Sequence, residues 1–299
     1  MSNNTAEIVV QSILKILEQG PAKWEHYLHA LARPAGMHRN MRGTGYRGIN
    51  RLILSFRAAD LGTKCATWAT YNQVKAAGGF VNKGEKGTPV VFWQPIIAKK
   101  KVNGVETVEK KGMVLRYYTV FNLSQTSLAW TADEVAPNQS VIASDWFEGV
   151  TVDHSSVGVA SYNRMSDKVT MPLAGFFKDQ ANYNATLAHE VAHWTGHESR
   201  LNRKLPYATE ELVAELGAAI FAAEHGVDFT PMHNTAAYLK SWLDAARQDS
   251  KFLLTVASNA QKAADLMTQH YKFAKGTGKG VSEEEAGHEE NESDELLAA

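Results

Sequence analysis

Apolar residues at Ile8, Val9, Ile13, Leu14 and Leu17 share one helical face, and Gly20-Pro21 then breaks the run, so the pattern predicts an amphipathic helix over residues 5–18. A short segment over 24–32 follows. Residues 36–48, with four glycines and three arginines, read as an exposed loop. Asn50 is placed to cap a helix through Leu52, Ile53, Leu54 and Phe56 to Gly62, and Thr70 to cap another over 71–77. Past Gly78-Gly79 the period changes. Residues 89–97 and 114–121 are rich in β-branched and aromatic types, the composition of strands, with an Asn103-Gly104 hairpin turn between them. Farther on, Val169-Thr-Met-Pro172 reads as a short edge strand, and 183–196, 210–225, 235–248 and 251–271 read as helices. No internal repeat is visible.

A chain of 299 residues with 44% apolar content has room for two cores. The expected class is α+β: an α+β front domain over 1–125, a connection over 126–145 and a mostly helical domain over 146–275. Net charge divides in the same way. It is +11 over residues 1–125, −4 over 126–281 and −8 over 282–299, although the whole chain sums to −1. The tail from 276, glycine-rich and then acidic, cannot bury a core and is expected to be disordered. One cysteine, Cys65, excludes an internal disulfide framework and a cysteine zinc cage. The N-terminus lacks a signal-peptide pattern and no stretch is apolar enough to span a bilayer, so a cytoplasmic protein without a membrane partner is expected.

His189-Glu190-Val-Ala-His193 matches H-E-x-x-H within a predicted helix. Residues four apart lie on one face, so two imidazoles can bind one Zn²⁺ while Glu190 leans towards the metal-bound water as general base. Another divalent cation would suit the same donors. A catalytic site needs a third protein ligand. His197 is poorly placed, because it drifts about 80° from His189 on a continued helix, and Ser199 stands where an H-E-x-x-H-x-x-G-x-x-H pattern would need histidine. The next helix offers Glu210, Glu211 and Glu215. Glu210 reads as solvated and Glu211 as open either way, whereas Glu215 lies among apolar residues, where an unpaired carboxylate is costly to bury.

The run from Tyr183 to His197, then Arg200-Leu-Asn-Arg203 and Glu210–Leu216, resembles the zincin-like domain of ArdC antirestriction proteins. The front half resembles the same family through Gly45-Tyr-Arg-Gly-Ile-Asn50, Trp68–Gln73, Gly84-Glu-Lys-Gly87 and Val120-Phe-Asn122, in a domain also found at the front of conjugative TraC primases. The resemblance covers roughly residues 5–250. It implies a plasmid-borne protein that binds single-stranded DNA and protects conjugatively transferred DNA from host restriction. The Glu-x-x-Ala-x-x-Phe-Ala run from Glu215 is similar to the third-ligand helix of ImmA/IrrE-type metallopeptidases, which favours Glu215, whereas a thermolysin-like comparison prefers Glu211.

The basic front half points to nucleic acid on its own composition. Single strands are held by cationic grooves and by aromatic faces on which bases stack. Arg39, Arg42, Arg47 and Arg51 cluster with Tyr46 in or beside the glycine-rich stretch, and Lys83 and Lys86 flank a second glycine turn near Trp68 and Tyr71. Trp93, Tyr117 and Phe121 are expected in the core, and Lys99-Lys100-Lys101 is equally a solubilising tip. The expected function is therefore single-stranded DNA binding joined to a zinc peptidase-like domain acting on restriction subunits or another protein. The alternatives are a non-catalytic DNA shield with a structural zincin domain, or a housekeeping metallopeptidase recruited to DNA.

Overall fold

A computed structural model describes residues 2–33, 37–102, 105–132, 146–230, 235–249 and 251–272. Helices α1 (Ser2–Leu17), α2 (Pro21–Ala32) and α3 (Gly48–Leu61) come first, with β1 (Arg39–Asn40) between the last two. Then follow β2 (Thr67–Thr70), α4 (Tyr71–Ala76), β3 (Thr88–Val102) and β4 (Val105–Asn122). The four strands form one sheet in the order β1-β2-β4-β3, with β1–β2 parallel and the rest antiparallel. The β3–β4 ladder runs from Thr88↔Val120 to Val102↔Val105 with an irregularity between Ile96 and Ile97, longer than the strand composition predicts. The Asn103-Gly104 turn, most of the 126–145 connection and the acidic tail lie outside the described residues, as do the side chains of Lys99–Lys101.

Two capping expectations divide. Thr70 caps α4 in a full capping box with Gln73. Asn50 does not cap α3, whose N-cap is Arg47. It lies inside the helix, and its amide donates to the Val91 carbonyl at 2.7 Å and accepts from the Val91 N–H at 2.8 Å. Those two bonds satisfy backbone groups on the outer strand β3, which has no neighbouring strand on that side.

The rear half opens with β5 (Thr151–Ser155), β6 (Ser161–Asn163) and β7 (Lys168–Pro172), followed by α5 (Gln180–Thr195), α6 (Tyr207–His225), α7 (Thr235–Gln248) and α8 (Phe252–His270). All four predicted helices are present. β7, expected at an edge, is the middle strand of the sheet β5-β7-β6, because two short, largely exposed strands that the pattern does not announce pair on either side of it.

Two small apolar clusters, one around Trp68 and one around Val74, belong to the front half alone, and a larger one is shared by both halves. The larger cluster runs from Val10 and Leu17 through Trp24, Leu28 and Phe56 to Val191, Phe221, Trp242 and Tyr271. Trp24 sits at its centre, edge-on to Phe56 at 5.8 Å and tilted against Trp242 at 6.1 Å. Polar contacts cross the same seam. Arg51 of α3 pairs with Glu224 of α6 at 2.5 Å, Arg47 with Asp265 of α8 at 2.6 Å, and the Gly48 N–H donates to Gln261 at 3.3 Å.

Candidate functional site

α5 starts at Asp179, whose carboxylate accepts from the Asn182 N–H, and stops at Gly196. From Leu212 to Ala223 every residue of α6 is buried, as befits a central helix. Gly217 lets it lie close to its neighbours: an added Cβ would stand 3.3 Å from the Ala260 carbonyl of α8 and 3.7 Å from Ala192 of α5. That close approach brings the first turns of α6 against the last turns of α5.

Three donors meet there. The Nε2 atoms of His189 and His193 are 3.1 Å apart, and the Glu211 carboxylate reaches them at 3.5 Å and 3.4 Å respectively. Among the described residues this is the grouping of three His, Cys, Asp or Glu side chains that could hold a metal ion, and Glu215 is not part of it. Glu215 is buried, as its apolar neighbours imply, but it is not a partnerless carboxylate waiting for an ion. It stands four residues beyond Glu211, about 6 Å along the axis. The donor set passes a simple geometric test. Ligands about 2.0–2.1 Å from a tetrahedral metal stand about 3.3 Å from one another; the two Nε2 atoms lie 3.1 Å apart, and each has a different Glu211 oxygen at 3.4–3.5 Å.

Within the trio, the surroundings favour the charged forms of His193 and Glu211. Burial would lower the His193 pKa, but hydrogen bonds to Glu210 and Glu211, with the Glu190 charge, push it up to about 9. Burial likewise opposes ionisation of Glu211, yet the two histidines hold it well below the usual carboxylate range. Glu190 is buried on the same helix, beside His189. Tyr207, one turn before Glu211, is exposed and accepts from the Tyr238 hydroxyl at 3.3 Å. His197 stays out of the trio and contacts the Ser199 hydroxyl at 2.8 Å.

Glu210 departs from the expected solvated position. Burial raises its pKa, but contacts with His193 and Arg203 outweigh this and hold it below the ordinary range. Arg203 itself is buried, with Nη1 bonding the Thr195 hydroxyl at 2.7 Å and Nη2 the Ala192 carbonyl at 2.7 Å. Neither residue is recognisable as part of the site from the pattern alone, because the contact depends on how loop 196–206 folds back.

In the front half the candidate DNA contacts separate by burial. Trp68 is 0% exposed and donates from Nε1 to His38 at 3.0 Å, and Tyr46 is also a core side chain, so neither has a free face for a base. Arg51 is buried against Glu224, and Arg47 is half-buried against Asp265. Arg42, Lys83 and Lys86 are exposed, and Arg39 is half-buried. Trp93 and Tyr117, expected inside, are 37% and 47% exposed, although their cross-strand partners Leu115 and Val91 are buried. A cleft of about 290 Å³ is lined by Arg39, Thr67, Leu123 and Trp130 among others.

Comparison with known proteins agrees with this layout. Residues 3–121 match the N-terminal domain of anti-restriction factor ArdC, and residues 143–259 match a zincin-like metallopeptidase domain. The crystal structure of metal-free ArdC from the R388 plasmid is 35% identical, superimposes with a TM-score of 0.73, and covers 89% of this chain and 97% of its own. The chain belongs to the ArdC antirestriction family. The Mn(II)-bound form of R388 ArdC is similar at 36% identity and a TM-score of 0.72 over 90% of this chain and 98% of its own. A DNA primase TraC of Escherichia coli is 32% identical over 87% of this chain, which spans only 19% of that primase's length. Among the described residues, no helix is long and apolar enough to cross a membrane.

Proposed function

We propose that this ArdC-family protein binds single-stranded DNA entering a cell, shields it from restriction, and carries a zinc-dependent peptidase site. One observation carries the reading: a single chain joins an H-E-x-x-H-plus-carboxylate trio to a basic half with a cleft lined by Arg39 and Trp130. His189, His193 and Glu211 would hold the ion, which when bound polarises a carbonyl and acidifies water. Glu190 takes the water's proton and returns it to the leaving amine. Glu211 supplies the single negative charge among the three protein ligands.

The DNA surface is built from Arg39, Arg42, Lys83 and Lys86, with Trp130 as the base-stacking wall. Trp130 is 42% exposed, so its indole can stack on a base, and Arg39, which lines the same cleft, suits a phosphate. Binding should not depend on base sequence, since nothing in this arrangement reads base edges. Fluorescence anisotropy with the full chain and a labelled single strand should show log K falling with log salt by about 0.7 per phosphate contacted. Trp130→Ala should weaken binding by about 1–3 kcal/mol, the worth of one stacked base. No binding at low salt would overturn the DNA reading, and wild-type affinity in Trp130→Ala would remove the cleft from it.

A further inference from the structure

Gly196 and Arg203 have no part in the reading above, yet they pack directly behind the metal trio. Nε2 of His193 faces His189 and Glu211, and the opposite ring nitrogen, Nδ1, stands 3.5 Å from Oε1 of Glu210. A histidine that offers Nε2 to a metal carries its proton on Nδ1, and a carboxylate behind that N–H fixes both tautomer and ring angle. Glu210 is itself held by a two-pronged contact. Arg203 donates from Nη2 to Oε1 at 2.6 Å and from Nε to Oε2 at 3.1 Å, a fork that fixes the plane of the carboxylate. The same guanidinium bonds the Ala192 carbonyl and the Thr195 hydroxyl, so its anchor is the helix that carries His193.

Gly196 makes room for this arrangement. Its φ of −78° is open to any residue, so backbone freedom is not the reason for a glycine. A Cβ there would lie 2.8 Å from Nη2 and 3.0 Å from Cζ of Arg203, and 3.1 Å from Oε1 of Glu210. The backbone on the far side is fixed as well. Arg164, in the turn between β6 and β7, donates to the Gly196 carbonyl at 2.9 Å and to the Arg203 carbonyl at 3.0 Å.

We propose that Arg203 and Glu210 are positioning residues for the metal centre, orienting His193 through its Nδ1–H, and that Gly196 is small so that the Arg203 guanidinium can reach Glu210. The relay rests on the reading that His189, His193 and Glu211 hold a divalent ion. It acts on how tightly the ion is held before any substrate binds.

The test measures metal affinity of the full chain, for Zn²⁺ by competition with a chelating dye and for Mn²⁺ by the EPR signal of the free ion. Glu210→Gln keeps the shape and removes the charge, and should weaken both ions about 10–100-fold. Arg203→Lys, which keeps a positive charge but loses the fork, should weaken them in the same direction and serves if Glu210→Gln folds poorly. Glu198→Gln, an exposed change in the same loop, should leave affinity at the wild-type value. In the zinc-loaded wild type, ¹⁵N spectra should show the His193 proton on Nδ1. Wild-type affinity in both Glu210→Gln and Arg203→Lys would overturn the relay while leaving the metal trio intact. A wild-type chain that takes up neither ion would overturn the trio, and the relay with it.

Discussion

Arg51→Ala should destabilise the full chain by about 3–5 kcal/mol in urea unfolding, because it leaves Glu224 charged and buried with no ion-pair partner in contact, only the Gln261 amide donating at 3.4 Å. The Arg51 and Glu224 side chains are 5% and 11% exposed, so water cannot replace the lost partner. Arg51→Met combined with Glu224→Leu should recover most of the loss, since removing both charges also removes their desolvation. By contrast, Arg47→Ala should change stability by at most about 1 kcal/mol, as its pair with Asp265 is partly exposed. Acid should mimic the single change. Burial alone would raise the Glu224 pKa, but Arg51 outweighs it and holds it below the ordinary value. A carboxylate depressed in the folded state contributes its stability above the unfolded pKa of about 4.3 and loses it as pH falls through the folded value. An Arg51→Ala protein of wild-type stability but weak DNA binding would return this arginine to the DNA surface.

The second large effect concerns the third ligand. Glu211→Ala should weaken metal binding by about two to three orders of magnitude, since each protein ligand carries a substantial share of the roughly 10–16 kcal/mol by which small zinc domains hold their ion. Glu215→Ala should keep the ion at full stoichiometry, because its carboxylate lies outside the trio. Glu190→Ala should keep it too while losing hydrolysis, as a general base is not itself a ligand. Metal analysis on the three purified variants decides the matter, and the reverse result, loss in Glu215→Ala with retention in Glu211→Ala, would restore the expectation drawn from the sequence.

The contrast between these glutamates shows where sequence reasoning stops. His189, Glu190 and His193 are legible because one helix carries all three and helical geometry fixes their spacing. A third ligand from another helix has no such fixed spacing, and the argument that a buried carboxylate seeks a metal assumes that burial and proximity coincide. Glu215 is buried as that argument asks, but it lies outside the grouping that Glu211 joins. The basic half fails in a related way. Arginines beside glycines read as exposed, yet Arg47 and Arg51 find their partners 218 and 173 residues away, at separations that no local pattern encodes. Trp68 lies in a four-residue strand whose last three positions are all buried, so its aromatic face belongs to the core. The helices of the rear half were readable because their periodic runs are long, whereas β5 and β6 are short, largely exposed and free of such a pattern.

The function itself is tested most directly by DNA transfer. Recipients with and without an active restriction system should receive an unmodified plasmid by conjugation, in which DNA enters as a single strand, and as a control by electroporation of the duplex. With the protein present, conjugative transfer into the restricting recipient should rise towards the level of the non-restricting one, while transfer into the non-restricting recipient and duplex uptake stay unchanged. Equal conjugative transfer into the restricting recipient with and without the protein would contradict the proposed protection of incoming single strands.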